Sequence, residues 1–172
     1  MPNPANILLN TPWWAFALLA VLVILGVQAL RPCTIMVWRL LAIPGVFIVW
    51  GLITLVTRSI GSPILLLDWF LTCAVGLGIG WWTMRLDGVA FDRNRGLVDV
   101  PGSPFPLARN VVIFAVKYGI AAAMAIVPAR SGGLVPWDVA VSGVAAGYFI
   151  GWLVRFALKY QAAGGPQAVT PR

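Results

Sequence analysis

One lysine sits where lysines are rarely found. Lys117 has ten residues before it and ten after it within the apolar segment Leu107–Val127, so it falls near mid-bilayer if that segment crosses a membrane. A charge there costs about 2.5–3.5 kcal/mol on insertion scales. Such a cation normally faces the protein interior, finds a counter-charge or gives up its proton. The chemistry this allows is proton exchange or anion binding, and Asp68, in the segment Pro63–Met84, is the obvious acidic counterpart. Depth limits that pairing. At a rise of 1.5 Å per residue, Asp68 lies about 7–8 Å below the end of its helix and Lys117 about 16 Å below the end of its own. A direct bridge therefore needs helix tilt, an upward-reaching rotamer or a water. Thr72, one turn below Asp68, matches Lys117 better in depth, and Asn110, seven residues before Lys117, shares its face. Asp68, Thr72, Lys117 and Asn110 outline a narrow polar seam, with Asp68 outermost and Asn110 innermost. The competing reading is a hydrogen-bonded packing seam without transport.

Other chemistries are poorly supplied. Histidine and glutamate are absent, which removes His-ligated haem, His-containing zinc sites and Ser-His-Asp or Cys-His catalysis. Cys33 and Cys73 are too few for a disulfide framework or a four-cysteine metal site, and they fall at different depths. Intramembrane hydrolysis needs a nucleophile–base pair or two embedded aspartates, and only Asp68 reads as deep. A Schiff base at Lys117 is chemically feasible, but nothing selects for it. The expectation is no enzyme, no metal and no cofactor.

The elements that must position these residues are membrane helices. Of 172 residues, 60% are hydrophobic and 10% charged, with a mean hydropathy of +0.92; soluble domains carry about 25% charge. Five segments approach the roughly 20 apolar residues that cross a bilayer. They predict an all-α membrane domain over 1–160 with helices at about 13–30, 38–57, 63–84, 107–128 and 135–158, and a disordered tail over 161–172. The first twelve residues hold no Lys or Arg, so the first segment reads as a retained helix and not a cleaved signal. Pro44-Gly45 predicts at most a kink in the second helix. Between the third and fourth helices, Val89–Phe91 and Leu97–Val100 flank a polar turn, a pattern that predicts a short cytoplasmic β-hairpin. Arg93 and Arg95 at its tip are candidates for contact with anionic lipid or a partner, or a solvated tip that helps set topology.

Orientation follows from the basic residues. Arg58 and Arg130 lie on one side, and Arg31, Arg39, Arg85, Arg93, Arg95, Arg109, Arg155, Lys159 and Arg172 on the other. That bias places the N-terminus outside and the C-terminus in the cytoplasm, and it accounts for the basic composition without nucleic acid. Trp13, Trp14, Trp38, Trp81, Trp82 and Trp137 fall near helix ends, as interfacial anchors do. Close-packing faces are marked by Gly143, Gly147 and Gly151 on the fifth helix, Gly119 between Ala115 and Ala123 on the fourth, and Gly76 and Gly80 on the third. The partner of each face is open: another helix of the chain, a second copy in a homodimer, or a larger membrane complex. Lys117 points away from the Gly119 ridge, so packing of the last two helices there makes Tyr148 a poor partner for Lys117.

Two stretches carry a resemblance. Thr11-Pro12-Trp13-Trp14 leads into an Ala/Leu-rich helix, and Pro101-Gly102-Ser103 with Pro106-Leu107 leads into Phe114 and Lys117-Tyr118. Both resemble a family of small bacterial inner-membrane proteins defined by a domain of unknown function, over most of the chain up to the tail. The resemblance implies a protein of the bacterial cytoplasmic membrane with several spanning helices; it supplies no substrate and no mechanism. Two functions remain in view. In one, the polar seam around Lys117 moves a proton, ion or small solute. In the other, the chain is an accessory or scaffold subunit packed through its glycine faces.

Overall fold

The computed structural model describes residues 13–84, 88–92, 95–126 and 131–162. Their elements run α1 (Trp13–Gln28), β1 (Cys33–Met36), α2 (Val37–Thr54), a π-helical turn (Leu55–Ser59), α3 (Pro63–Thr83), β2 (Ala90–Asp92), β3 (Leu97–Val100), α4 (Phe105–Ile126) and α5 (Ser131–Ala162). Four of the five helices, α2 with its π turn and α3 to α5, are long and apolar enough to cross a membrane. Helix α1 has 16 residues, about 24 Å of helix against a hydrocarbon core of about 30 Å.

The sequence expects helix starts at 107 and 135, whereas α4 begins at Phe105 and α5 at Ser131, and α5 continues to Ala162. Ser131-Gly132-Gly133 carries loop chemistry, yet it forms the first turn of α5. Pro136 lies so near the helix start that it removes a single backbone bond, the one to Gly132. Residues 163–172, the N-terminal twelve and Arg93 lie outside the described residues, as do the expected disordered tail beyond Ala162 and the contact expected of Arg93.

Helix α5 is the central post. Over half of its apolar stretch is buried, against under a quarter in each other spanning helix. Its most extensive neighbour is α3. These two helices run parallel, and glycines set their register. A Cβ at Gly143, Gly147 or Gly151 would strike the carbonyl oxygen of Trp69, Cys73 or Leu77 respectively. One further turn along, Arg155 donates to the carbonyl of Trp81, a residue pair again 74 positions apart. From the other side, Gly76 and Gly80 of α3 admit the backbone of Val144 and Tyr148. Backbones this close gain dispersion and Cα–H···O contacts that a larger residue would forbid. Gly51 brings α2 against Ala146 in the same way, and Gly26 brings α1 against Leu107 of α4.

The short strands form one antiparallel sheet in the order β1-β3-β2. The β2–β3 hairpin turns at Gly96, whose φ of +62° suits a residue without Cβ. The third strand comes from the segment between α1 and α2, pairing Cys33 with Val100 and Met36 with Leu97. Val98 is fully buried against Met84 and Phe156, so the sheet caps one end of the bundle.

The distribution of polarity is inverted. Phe70, Leu71, Val75, Ile53 and Val112 face outward, while Asn110, Lys117, Asp138 and Ser142 are buried. Apolar outside with paired polar groups inside fits a multi-pass membrane protein in contact with lipid.

Candidate functional site

Helix α4 turns Asn110, Phe114 and Lys117 inward, residues at helical spacing on one face. Opposite them, α5 runs antiparallel to α4. Asp138 lies seven residues into α5 and Lys117 nine residues before the end of α4, so both sit about 10–14 Å from the connection between the two helices. The Lys117 ammonium donates to the Asp138 carboxylate and, at 3.3 Å, to the Asp138 main-chain carbonyl. The side chains are only 5% and 10% exposed. The ammonium also lies 5.6 Å from the ring centroid of Trp50 on α2, within cation–π range.

A second cation reaches the same carboxylate from the end of the bundle away from the sheet. Arg58 Nε lies 3.9 Å from the other Asp138 oxygen, and its side chain is 46% exposed. The π-helical turn Leu55–Ser59 supplies it; the extra residue per turn carries α2 out of its regular phase where Arg58 must approach α5. Buried hydroxyls surround the pair. Ser142 donates to Val139 O at 2.8 Å and Thr54 to Trp50 O at 3.1 Å, while the Ser59 hydroxyl is buried with no partner. One carboxylate thus sits between a buried cation and a half-exposed one. A proton on Asp138, or an anion taking its place, would release both.

The other seam residues lie elsewhere. Asp68 makes no ion pair among the described residues, and its Oδ2 is buried without a hydrogen-bond partner. The acid that meets Lys117 is Asp138, not Asp68, because α4 packs on α5. Thr72 donates back to Asp68 O and Trp69 O, at 2.7 and 3.0 Å, and lies beneath Gly143 in the α3–α5 contact. Gly76, Gly80, Gly143, Gly147 and Gly151 all lie in that contact. A Cβ at Gly119 would meet nothing within 4 Å among the described residues, so α4 packs on them through its Lys117 face and not through the small-residue ridge. Arg95 is exposed in the hairpin turn, its backbone N–H donating to Asp92.

Asn110 belongs to a second polar cluster, near the sheet. Its Oδ1 accepts from Arg109 Nε at 3.0 Å. The Arg109 guanidinium lies over Phe149 and Tyr148, 4.8 and 5.4 Å from their ring centroids. The Tyr148 hydroxyl is hydrogen bonded to Thr83 Oγ1 at 3.3 Å. Between the two clusters lies an apolar core of Leu22, Phe47, Phe114 and Phe149, with Phe47 and Phe149 stacked at 4.9 Å.

No protein-family model, curated protein or solved structure matches the chain.

The sequence alone marks only Asp68 as a deep acid and so misses Asp138. A usable signal existed. Lys117 and Asp138 are nearly equidistant from the short α4–α5 connection, and antiparallel neighbours joined by a short loop meet at equal depth. Arg58 and Trp50 carried no comparable signal, because the π turn that aims Arg58 has no composition of its own.

Proposed function

We propose that the chain is a multi-pass protein of the bacterial inner membrane, N-terminus outside and C-terminus in the cytoplasm, that passes a proton or small ion along the face of α4 around Lys117. The observation that carries this reading is the Lys117–Asp138 ion pair, linked through Asp138 to half-exposed Arg58. Burying two charges costs several kcal/mol per ion, and an apolar pair of similar volume packs as well or better. A bundle that needed only stability would have no use for the pair. A carboxylate shared by two cations, one of them open to the surface, is a suitable exchange point: loading Asp138 from the Arg58 end frees Lys117 toward the core. The stacked Phe47–Phe149 layer then separates this cluster from the one around Arg109.

Orientation rests on the sheet end carrying Arg31, Arg39, Arg155 and Lys159. Helix α1 serves as the fifth span. The likeness to small bacterial inner-membrane proteins at Lys117-Tyr118 points the same way, and we read the protein as a non-enzyme without cofactor. The test is proton flux into liposomes carrying the purified protein and an internal pH dye. Lys117→Met and Asp138→Asn should each lower the flux at least tenfold, while Asp68→Asn stays within twofold of wild type. Wild-type flux equal to that of empty vesicles would overturn the reading.

A second reading, an accessory subunit of a larger membrane complex or a homodimer, is favoured by Gly119. A Cβ there would meet nothing within 4 Å among the described residues, which leaves a small-residue face of α4 for a helix from another chain.

A further inference from the structure

Arg109 has a cation's needs and no carboxylate. Among the described residues the only ion pairs are those of Asp138, with Arg58 and with Lys117. The Arg109 guanidinium rests on the faces of Phe149 and Tyr148, its Nε donates to Asn110 Oδ1 at 3.0 Å, and it is also hydrogen bonded to the Tyr148 side chain. Asn110 is 0% exposed and its Nδ2 has no partner among the described residues. Arginine can only donate, so the amide oxygen must face Nε, and the bond to Arg109 leaves the amide N–H groups unused. A fully buried amide with an unmade bond costs about 1–3 kcal/mol, and it stands beside a guanidinium whose five N–H donors outnumber the Asn110 and Tyr148 oxygens that accept from it. Planar donors of the guanidinium and a neighbouring amide N–H form a three-point match for an oxyanion.

We propose that Arg109 and Asn110 bind a phosphate oxyanion at the sheet end of α4. The guanidinium takes two oxygens through its terminal nitrogens and Asn110 Nδ2 takes the third contact. Tyr148, held by its bond to Thr83, and Phe149 keep the guanidinium flat and oriented. Depth suits a lipid phosphate as well as a free one. Arg109 lies four residues into α4, about 6 Å from its start, and the interfacial layer on each side of the hydrocarbon core is about 5–7 Å thick.

The experiment uses the full chain in non-ionic detergent, titrated separately with phosphatidylglycerol and with inorganic phosphate, and read by the shift in melting temperature and by native mass spectrometry. Wild type should show a saturable shift with a one-to-one adduct. A shift with phosphatidylglycerol alone assigns a lipid headgroup; a shift with inorganic phosphate assigns a free anion. Arg109→Gln should weaken binding at least tenfold. Asn110→Asp gives Arg109 an internal carboxylate, and should abolish binding while leaving the ligand-free melting temperature equal to or above that of wild type. No shift with either ligand, or an Asn110→Asp protein that binds as wild type does, would overturn the proposal.

Discussion

Lys117 and Arg109 lie eight residues apart on α4, and their charges are accommodated by different means. Lys117 meets an aspartate of α5, with a tryptophan face as a secondary contact. Arg109 meets two aromatic faces and an amide, with no acid within ion-pair distance among the described residues. In the first cluster the buried charges are paired with each other, and separating them requires a proton or an ion. The second has more N–H donors than the Asn110 and Tyr148 oxygens can take. A buried ammonium is a strongly hydrated point charge that demands a counter-ion, whereas a guanidinium is weakly hydrated and stacks. Residue type therefore decided which cluster could remain open.

The largest effect should come from removing the acid. Asp138→Asn leaves Lys117 buried and unpaired, and should cost about 3–5 kcal/mol in a denaturant titration in detergent. The double variant Lys117→Met with Asp138→Leu should recover most of that loss; a double variant as unstable as the single would show that charge pairing is not what holds α4 on α5. Next is Gly147→Ala. Its Cβ would strike Cys73 O and lift α5 from α3, displacing the elements behind both clusters at once, with a cost of about 1–3 kcal/mol by the same measurement.

Arg109→Gln tests the open cluster. Loss of two cation–π contacts should lower stability by about 1–2 kcal/mol in ligand-free protein, clearly less than Asp138→Asn. Equal losses would erase the distinction between the clusters. The smallest effect belongs to Arg58→Gln. With its side chain 46% exposed and 3.9 Å from Asp138, the pair should contribute about 0–1 kcal/mol. Proton flux should respond more than stability does, because Arg58 stands at the open end of the relay.

Parts of this architecture were legible in the residues and parts were not. Alternating β-prone runs around Asp92–Gly96 marked the hairpin, but the strand Cys33–Met36 carried no signal of its own. It pairs only because the end of α1 and the end of β3 meet, where Ser103 N–H donates to Ala29 O at 2.8 Å. Glycine spacing marked Gly143, Gly147 and Gly151 as a close-packing face without saying what lay against it, and the answer is a parallel α3. Asn110 was visible as a polar residue on the Lys117 face, but its neighbour Arg109 read only as one more basic residue near a helix end. The aromatic faces that hold it come from α5, 39 and 40 residues later in the chain.

Hydropathy and helical spacing are properties of windows of about 20 residues, so the residues alone determined that long apolar helices form, that Lys117 lies deep in one of them, and which faces are small enough for close approach. The choice of Asp138 over Asp68 is not local. It depends on which helix α4 lies beside, on the seven residues by which α5 precedes Asp138, and on a π turn that swings Arg58 inward. Those are relations of register and adjacency between elements far apart in the chain, set when glycine contacts lock α5 against α3 and α2. Only tertiary structure decided them, because a charge buried at a given depth pairs with whatever acid packing brings to that depth.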